Sequence, residues 1–167
     1  MAAQAAEAGG IGTVKLYFMV ALPEETQEDR AAIAELVAEL RRAAPRVRLE
    51  VALGPLTPKP HTPWEGLAMP PLAEVRRRCA EVRRALGRLG IAADVGSPRG
   101  ALMQVALARG GQELGPVIVE AGRKGGDYAA LRVACKGAGL RWEVYAGEVR
   151  ERPWRRVGME GCPTPLR

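Results

Sequence analysis

Two apolar runs flanking one amphipathic helix constrain this chain more than any other feature. TVKLYFMVAL, from Thr13 to Leu22, is almost uninterrupted in its hydrophobicity and rich in β-branched and aromatic residues. Such a run predicts a strand buried on both faces, as in a parallel sheet. Pro23 ends it. Thr26 then offers a helix N-cap, with Asp29 three residues on. Ile33, Leu36, Val37 and Leu40 recur at helical spacing, with Glu35, Glu39, Arg41 and Arg42 on the other faces, which predicts a helix over 27–43. Pro45 stops that helix, and VRLEVAL, from Val47 to Leu53, forms the next strand. Strand, helix and strand joined by short loops make a βαβ unit with parallel strands and a right-handed crossover.

The flanking segments have other textures. Ala2 to Ala8 reads as the end of a helix capped by Gly9-Gly10, and its lack of a start signal raises the expectation of further chain upstream. Gly54 to Pro71 holds Pro55, Pro58, Pro60, Pro63, Pro70 and Pro71, so it is neither helix nor central strand. A long loop after a parallel strand lies on the face where α/β folds bind ligands. From Leu72 to Leu89 the apolar seam Leu72, Val75, Cys79, Val82, Leu86 and Leu89 marks a helix, capped by Gly90. Ile91 to Val95 fits a short strand. Ser97 caps a further helix with Pro98 at its first position, ended by Gly110-Gly111. Helices over 112–123 and after Asp127 follow, and Arg141 to Arg167 is expected to be extended and irregular.

Composition narrows the class. With 47% hydrophobic and 26% charged residues in 167, the chain is of globular type. It has no run of ~18 apolar residues and no secretory signal, which makes the cytoplasm the expected location. Cys79, Cys135 and Cys162 are scattered and form no CxxC pair, so no disulfide framework or compact metal motif is visible. The formal charge of +6 permits affinity for polyanions.

Three clusters are candidates for function. Glu24, Glu25, Gln27, Glu28 and Asp29 gather where a strand meets a helix. Acids in a first helical turn complement its dipole, which accounts for Glu28 and Asp29. Glu24 or Glu25 could instead point from the strand's end into a cleft. Lys59, His61 and Thr62 sit in the proline-stiffened PKPHTPW loop, where His61 is the one group titrating near neutrality. Arg76, Arg77, Arg78, Arg83, Arg84 and Arg88 stripe the helix after the loop against Glu74 and Glu81. That stripe reads as a solvated outer face with ion pairs, or as an RNA contact surface in which Arg76, Arg77 and Arg83 take part. Cys79 and Cys135 fall on apolar seams and read as core residues, and Cys162 lies in a Gly- and Pro-flanked tail.

KLYFMVALPEETQED followed by TPKPHTPWEG resembles the latter part of the catalytic domain in radical S-adenosylmethionine proteins, of the iron-sulfur oxidoreductase group associated with B12-binding domains. SPRGALMQVALARGGQELGPVI and ERPWRRVG resemble later parts of the same proteins, so the likeness runs from Ala2 to about Gly158. It implies the last βαβ unit of a partial (β/α)6 barrel over 1–70, a mostly helical C-terminal extension over 71–145 and an irregular tail over 146–167. In such enzymes a CxxxCxxC loop holds a 4Fe-4S cluster that cleaves S-adenosylmethionine reductively. This sequence contains no CxxxCxxC, and it has Ala21 where the family has Gly and Glu24 where the family has a small or hydroxyl residue.

The resemblance implies cofactor-side roles for Val20, Ala21 and Glu25 at the first strand's end and for Leu53, Gly54 and Pro55 at the second's. It places Lys59, His61 and Thr62 on the substrate side. The functional expectation is a fragment or split subunit of a radical S-adenosylmethionine enzyme, binding no cluster and inactive alone. Its expected partner is an upstream cluster-bearing half, or a second copy, closing the barrel at the first strand's edge. The alternative is a basic RNA-binding or protein-interaction module.

Overall fold

The computed structural model describes residues 2–149. Two compact units divide the chain: 1–56 with 70–101, and 57–69 with the segment from 102 onward. The first holds α1 (Ala2–Ala8), β1 (Thr13–Val20), α2 (Gln27–Ala43), β2 (Arg48–Pro55), α3 (Leu72–Arg88) and β3 (Ala93–Val95). All three strands are parallel in the order β1-β2-β3, with Thr13 opposite Arg48, Val20 opposite Pro55 and Val51 opposite Ala93. The βαβ unit read from the sequence is therefore present, and the short segment before Gly96 extends it by one strand.

Local chemistry explains the boundaries. Thr26 and Asp29 form a reciprocal capping box that fixes the first turn of α2. β1 stops at Val20 because Ala21 takes φ 64, a left-handed conformation that no strand continues. Gly90, at φ 70, ends the turn after α3.

β1 is not buried on both faces, contrary to its apolar run. Val20 is buried and Val14, Leu16 and Phe18 are half-buried, whereas Thr13, Lys15, Tyr17 and Met19 are exposed. Tyr17 keeps 75% and Met19 52% of its surface. The covered face carries the helices. Val14, Leu40 and Leu49 pack on Ala3, Ala44 and Val47, and Val75, Cys79, Val82 and Leu86 form the buried seam of α3. The other face, exposed along β1 and half-buried along β2, is arranged in rows by the register: Lys15 beside Glu50, Tyr17 beside Ala52 and Asp94, Met19 beside Gly54.

The second unit is helical. α4 (Pro98–Arg109) enters it, followed by a 3-10 turn over Gln112–Leu114, α5 (Gly115–Arg123), α6 (Tyr128–Gly137) and α7 (Glu143–Ala146). Asp127 caps α6 through a bond from Ala130 N at 2.8 Å. The segment from Arg141, expected to be irregular, instead begins with α7, anchored by Trp142, which is buried and meets Tyr128 edge to face at 5.0 Å. Cys162 and the Pro-Trp pair lie outside the described residues.

The one-sided sheet makes a contrast in stability. Leu53, 1% exposed, should cost about 3 kcal/mol on substitution by alanine. Tyr17→Ala, on the exposed face of β1, should cost less than about 1 kcal/mol. Urea unfolding followed by circular dichroism measures both.

Candidate functional site

The carboxyl end of β1 is built around Glu25. Its carboxylate is nearly buried and accepts from Arg30 Nη1 at 2.9 Å and from the backbone N of Leu22 at 3.2 Å. Arg78 Nη1 stands 3.6 Å from the same carboxylate and donates to Leu22 O at 3.3 Å. Arg30 Nε reaches Glu81 at 2.7 Å, Glu81 takes Arg77 at 2.7 Å, and Arg78 pairs with Glu74. Two helices and a strand end thus share one ion-pair network. Burial pulls the Arg30 guanidinium down, but its bonds to Glu25 and Glu81 outweigh that and raise its pKa. Burial pushes the Glu81 carboxyl up, and Arg30 with Arg77 more than reverses the effect and holds it below its ordinary value.

The cofactor-side residues expected at this end have unequal access. Val20, Ala21, Leu53 and Pro55 are buried. Glu25 is committed to two arginines and one amide, so it positions the turn. Gly54 lies on the face away from α2 and α3, next to Met19 in register, and a Cβ there would meet nothing within 4 Å. Ala21 and Glu24 both adopt positive φ, 64 and 59. A left-handed conformation costs about 1 kcal/mol for any residue but glycine, so the β1–α2 turn is strained. The Cys79 thiol is raised by burial and then by the Glu25 charge, which suppresses its reactivity.

Lys59, His61 and Thr62 belong to the second unit. Thr62 Oγ1 donates to Lys59 O at 2.7 Å, closing the loop's turn. His61 is exposed, has φ 61, and donates its backbone N–H to Glu65 at 2.8 Å. The imidazole is thus open to solvent while its backbone is pinned.

Sequence reasoning missed the residue that organises this loop. Arg109, 3% exposed, donates to four backbone carbonyls: Glu65 at 2.8 Å, Leu67 at 2.7 Å, Gly147 at 3.0 Å and Tyr145 at 3.3 Å. Burial lowers its pKa, opposed by the nearby Glu65 charge. Its signal was the Arg109-Gly110-Gly111 string. A Cβ at Gly110 would lie 2.0 Å from Leu114 Cδ1, so a larger residue there would displace the buried Leu114 side chain. Glu113 caps the same turn through Gly111 N at 2.9 Å and accepts from Tyr145 at 2.9 Å. Burial and that carboxylate push the Tyr145 phenol up to about 12.

Among the described residues no group of three or more His, Cys, Asp or Glu side chains is placed to hold a metal ion, and no helix is long and apolar enough to cross a membrane. No known family profile matches the chain, and no solved structure matches it. The uncharacterized protein MJ0966 of Methanocaldococcus jannaschii is 33% identical over 106 residues, which cover 63% of this chain. The match spans 23% of that relative's length.

Two outcomes follow from these bonds. Arg109→Lys retains the charge but not the fork that reaches four carbonyls. It should destabilise the second unit by about 2 kcal/mol, read as a lower midpoint in tryptophan-fluorescence unfolding. The Glu81 carboxyl, held below its ordinary 4.5, stabilises the fold fully above that value and loses this contribution as pH falls through the depressed one. Glu81→Gln should therefore flatten the acid limb of a stability-against-pH curve measured between pH 6 and about 2.

Proposed function

We propose that this chain supplies the closing strands of a (β/α)6 barrel in a radical S-adenosylmethionine enzyme. The cluster-bearing strands come from polypeptide outside these 167 residues. The observation that carries the reading is the sheet face away from α2 and α3. A barrel wall has helices outside and rows of side chains inside, and this parallel sheet has helices on one face and register-aligned rows on the other. Exposed Tyr17 and Met19 on an otherwise well-packed sheet fit an interior whose other half is elsewhere.

The turn after β1 supports the same reading. The proteins that the sequence resembles carry glycine where Ala21 stands, and φ 64 is the conformation that glycine adopts without strain. The match to about a quarter of a longer relative also agrees with a part of a larger enzyme. The described residues do not fit a 4Fe-4S cluster, because Cys79 and Cys135 are buried in separate units. S-adenosylmethionine would meet Gly54 and Met19 on that face rather than the buried Val20 and Leu53. When bound with a reduced cluster it supplies an adenosyl radical. This chain's residues contribute the surface on which it rests, with His61 exposed in the loop assigned to the substrate side.

The partner consistent with this is a cysteine-bearing (β/α) half that adds a strand to the free edge of β1. Alone, the chain reconstituted anaerobically with iron and sulfide should hold no stoichiometric iron and form no 5′-deoxyadenosine. A full cluster with reductive cleavage would overturn the division of labour. Co-expressed with a CxxxCxxC polypeptide encoded beside it, the chain should co-purify, with the β1 amides on the edge away from β2 newly protected from hydrogen exchange. Edge amides of β1 that exchange as fast in the complex as in the free chain would refute the barrel.

A further inference from the structure

The ion pairs divide the arginines of α3 into two sets. Arg77 and Arg78 are taken by Glu74, Glu81 and Glu25. Arg76, Arg83, Arg84 and Arg88 are exposed, and no acid or carbonyl among the described residues engages them. Both acids of α3, Glu74 and Glu81, are already spent on the first set. At about 100° per residue Arg84 and Arg88 lie opposite the seam of Val75, Cys79, Val82 and Leu86, and Arg76 and Arg83 lie along its flank. The four extend over about 18 Å of helix. Ala80 and Gly87 lie between the two pairs and keep the surface there low. Shallow clefts flank the arginines, one lined by Arg76, Arg83, Val95 and Pro98 and the other by Arg84, Arg88, Gln27 and the Arg30–Glu81 pair, whose acid is already neutralised by Arg30 and Arg77.

We propose that this face of α3 docks the phosphate backbone of a single-stranded nucleic acid. A group of four uncompensated guanidinium groups repels itself, and a linear array of phosphates neutralises it with release of counterions. A single strand fits better than a duplex for a geometric reason. α3 is held to the sheet along its seam, so it cannot enter a groove as a recognition helix does. A flexible strand can follow an exposed ridge. No aromatic residue belongs to α3, so the docking is to phosphate and ribose and does not select bases. The inference is independent of the barrel, because it needs only the outer face of one helix.

The test is fluorescence anisotropy of a labelled 20-nucleotide polyuridylate with the full chain across a salt series. Four phosphate contacts predict binding that weakens about 50-fold between 50 and 200 mM salt. Replacing Arg76, Arg83, Arg84 and Arg88 together by Gln should weaken binding at least 10-fold at 50 mM salt and flatten the salt slope, with the helical circular dichroism retained. Replacing Arg123, Lys124, Arg132 and Lys136 by Gln removes the same charge elsewhere and should change binding less than threefold. Equal losses in the two variants would show that net charge alone is at work and overturn the proposal. So would undetectable binding at 25 mM salt, or tighter binding to anionic lipid vesicles or to a duplex of the same length.

Discussion

Parallel pairing of β1 with β2 is the constraint on which the first unit depends. Two parallel strands cannot be joined by a tight turn, so the chain between them must cross the sheet, and α2 is that crossing. Once the crossover is right-handed, α2 and then α3 are brought to one face. That face carries the buried Val20, Val51 and Leu53, whereas Lys15, Tyr17 and Met19 on the other stay exposed. The exposure of Tyr17 and Met19 is thus a consequence of topology and not of poor packing. The same topology brings the ends of β1 and β2 side by side, where Val20 O accepts from Leu56 N at 2.8 Å.

The network around Glu25 shows how buried charge fixes this geometry. An ionised carboxylate cannot be buried beside an apolar seam without cations, and Arg30 and Arg78 supply them from two helices. Such a cluster adds little net stability compared with apolar packing, but it is intolerant of misplacement. A β1–α2 turn displaced by one residue would take Glu25 away from both guanidinium groups. The strain at Ala21 and Glu24 is retained because that cluster, the capping box at Thr26 and the strand pairing over-determine the turn.

Local chemistry was legible in the sequence where the partners are close in the chain. The limits of α2 follow from Thr26, Asp29 and Pro45, and α6 starts at its Asp127 cap. The apolar run of β1 marks a strand, but the expectation that it is buried on both faces fails, because hydrophobicity does not say which faces the fold covers. The exposed face of β1 became visible only in the fold. Glu25 was read as a residue for a cleft because its cation Arg78 stands on a helix far along the chain, among arginines that looked uniformly solvated. Arg109 escaped because its partners are carbonyl oxygens, which every residue has and no pattern marks.

The two buried arginine systems differ in what they leave for function. Arg109 spends its guanidinium on backbone carbonyls and closes the frame of the loop that carries His61, so the imidazole is held at its backbone while its ring stays open to solvent. Arg30, Arg77 and Arg78 spend theirs on carboxylates and use up the acids of α3. The second arrangement has an electrostatic remainder. Because the network consumes both acids of the helix, Arg76, Arg83, Arg84 and Arg88 keep no ion-pair partner among the described residues. An ion-pair cluster that fixes a strand end thereby also leaves an excess of positive charge on the same helix, and loss of Glu81 would disturb both.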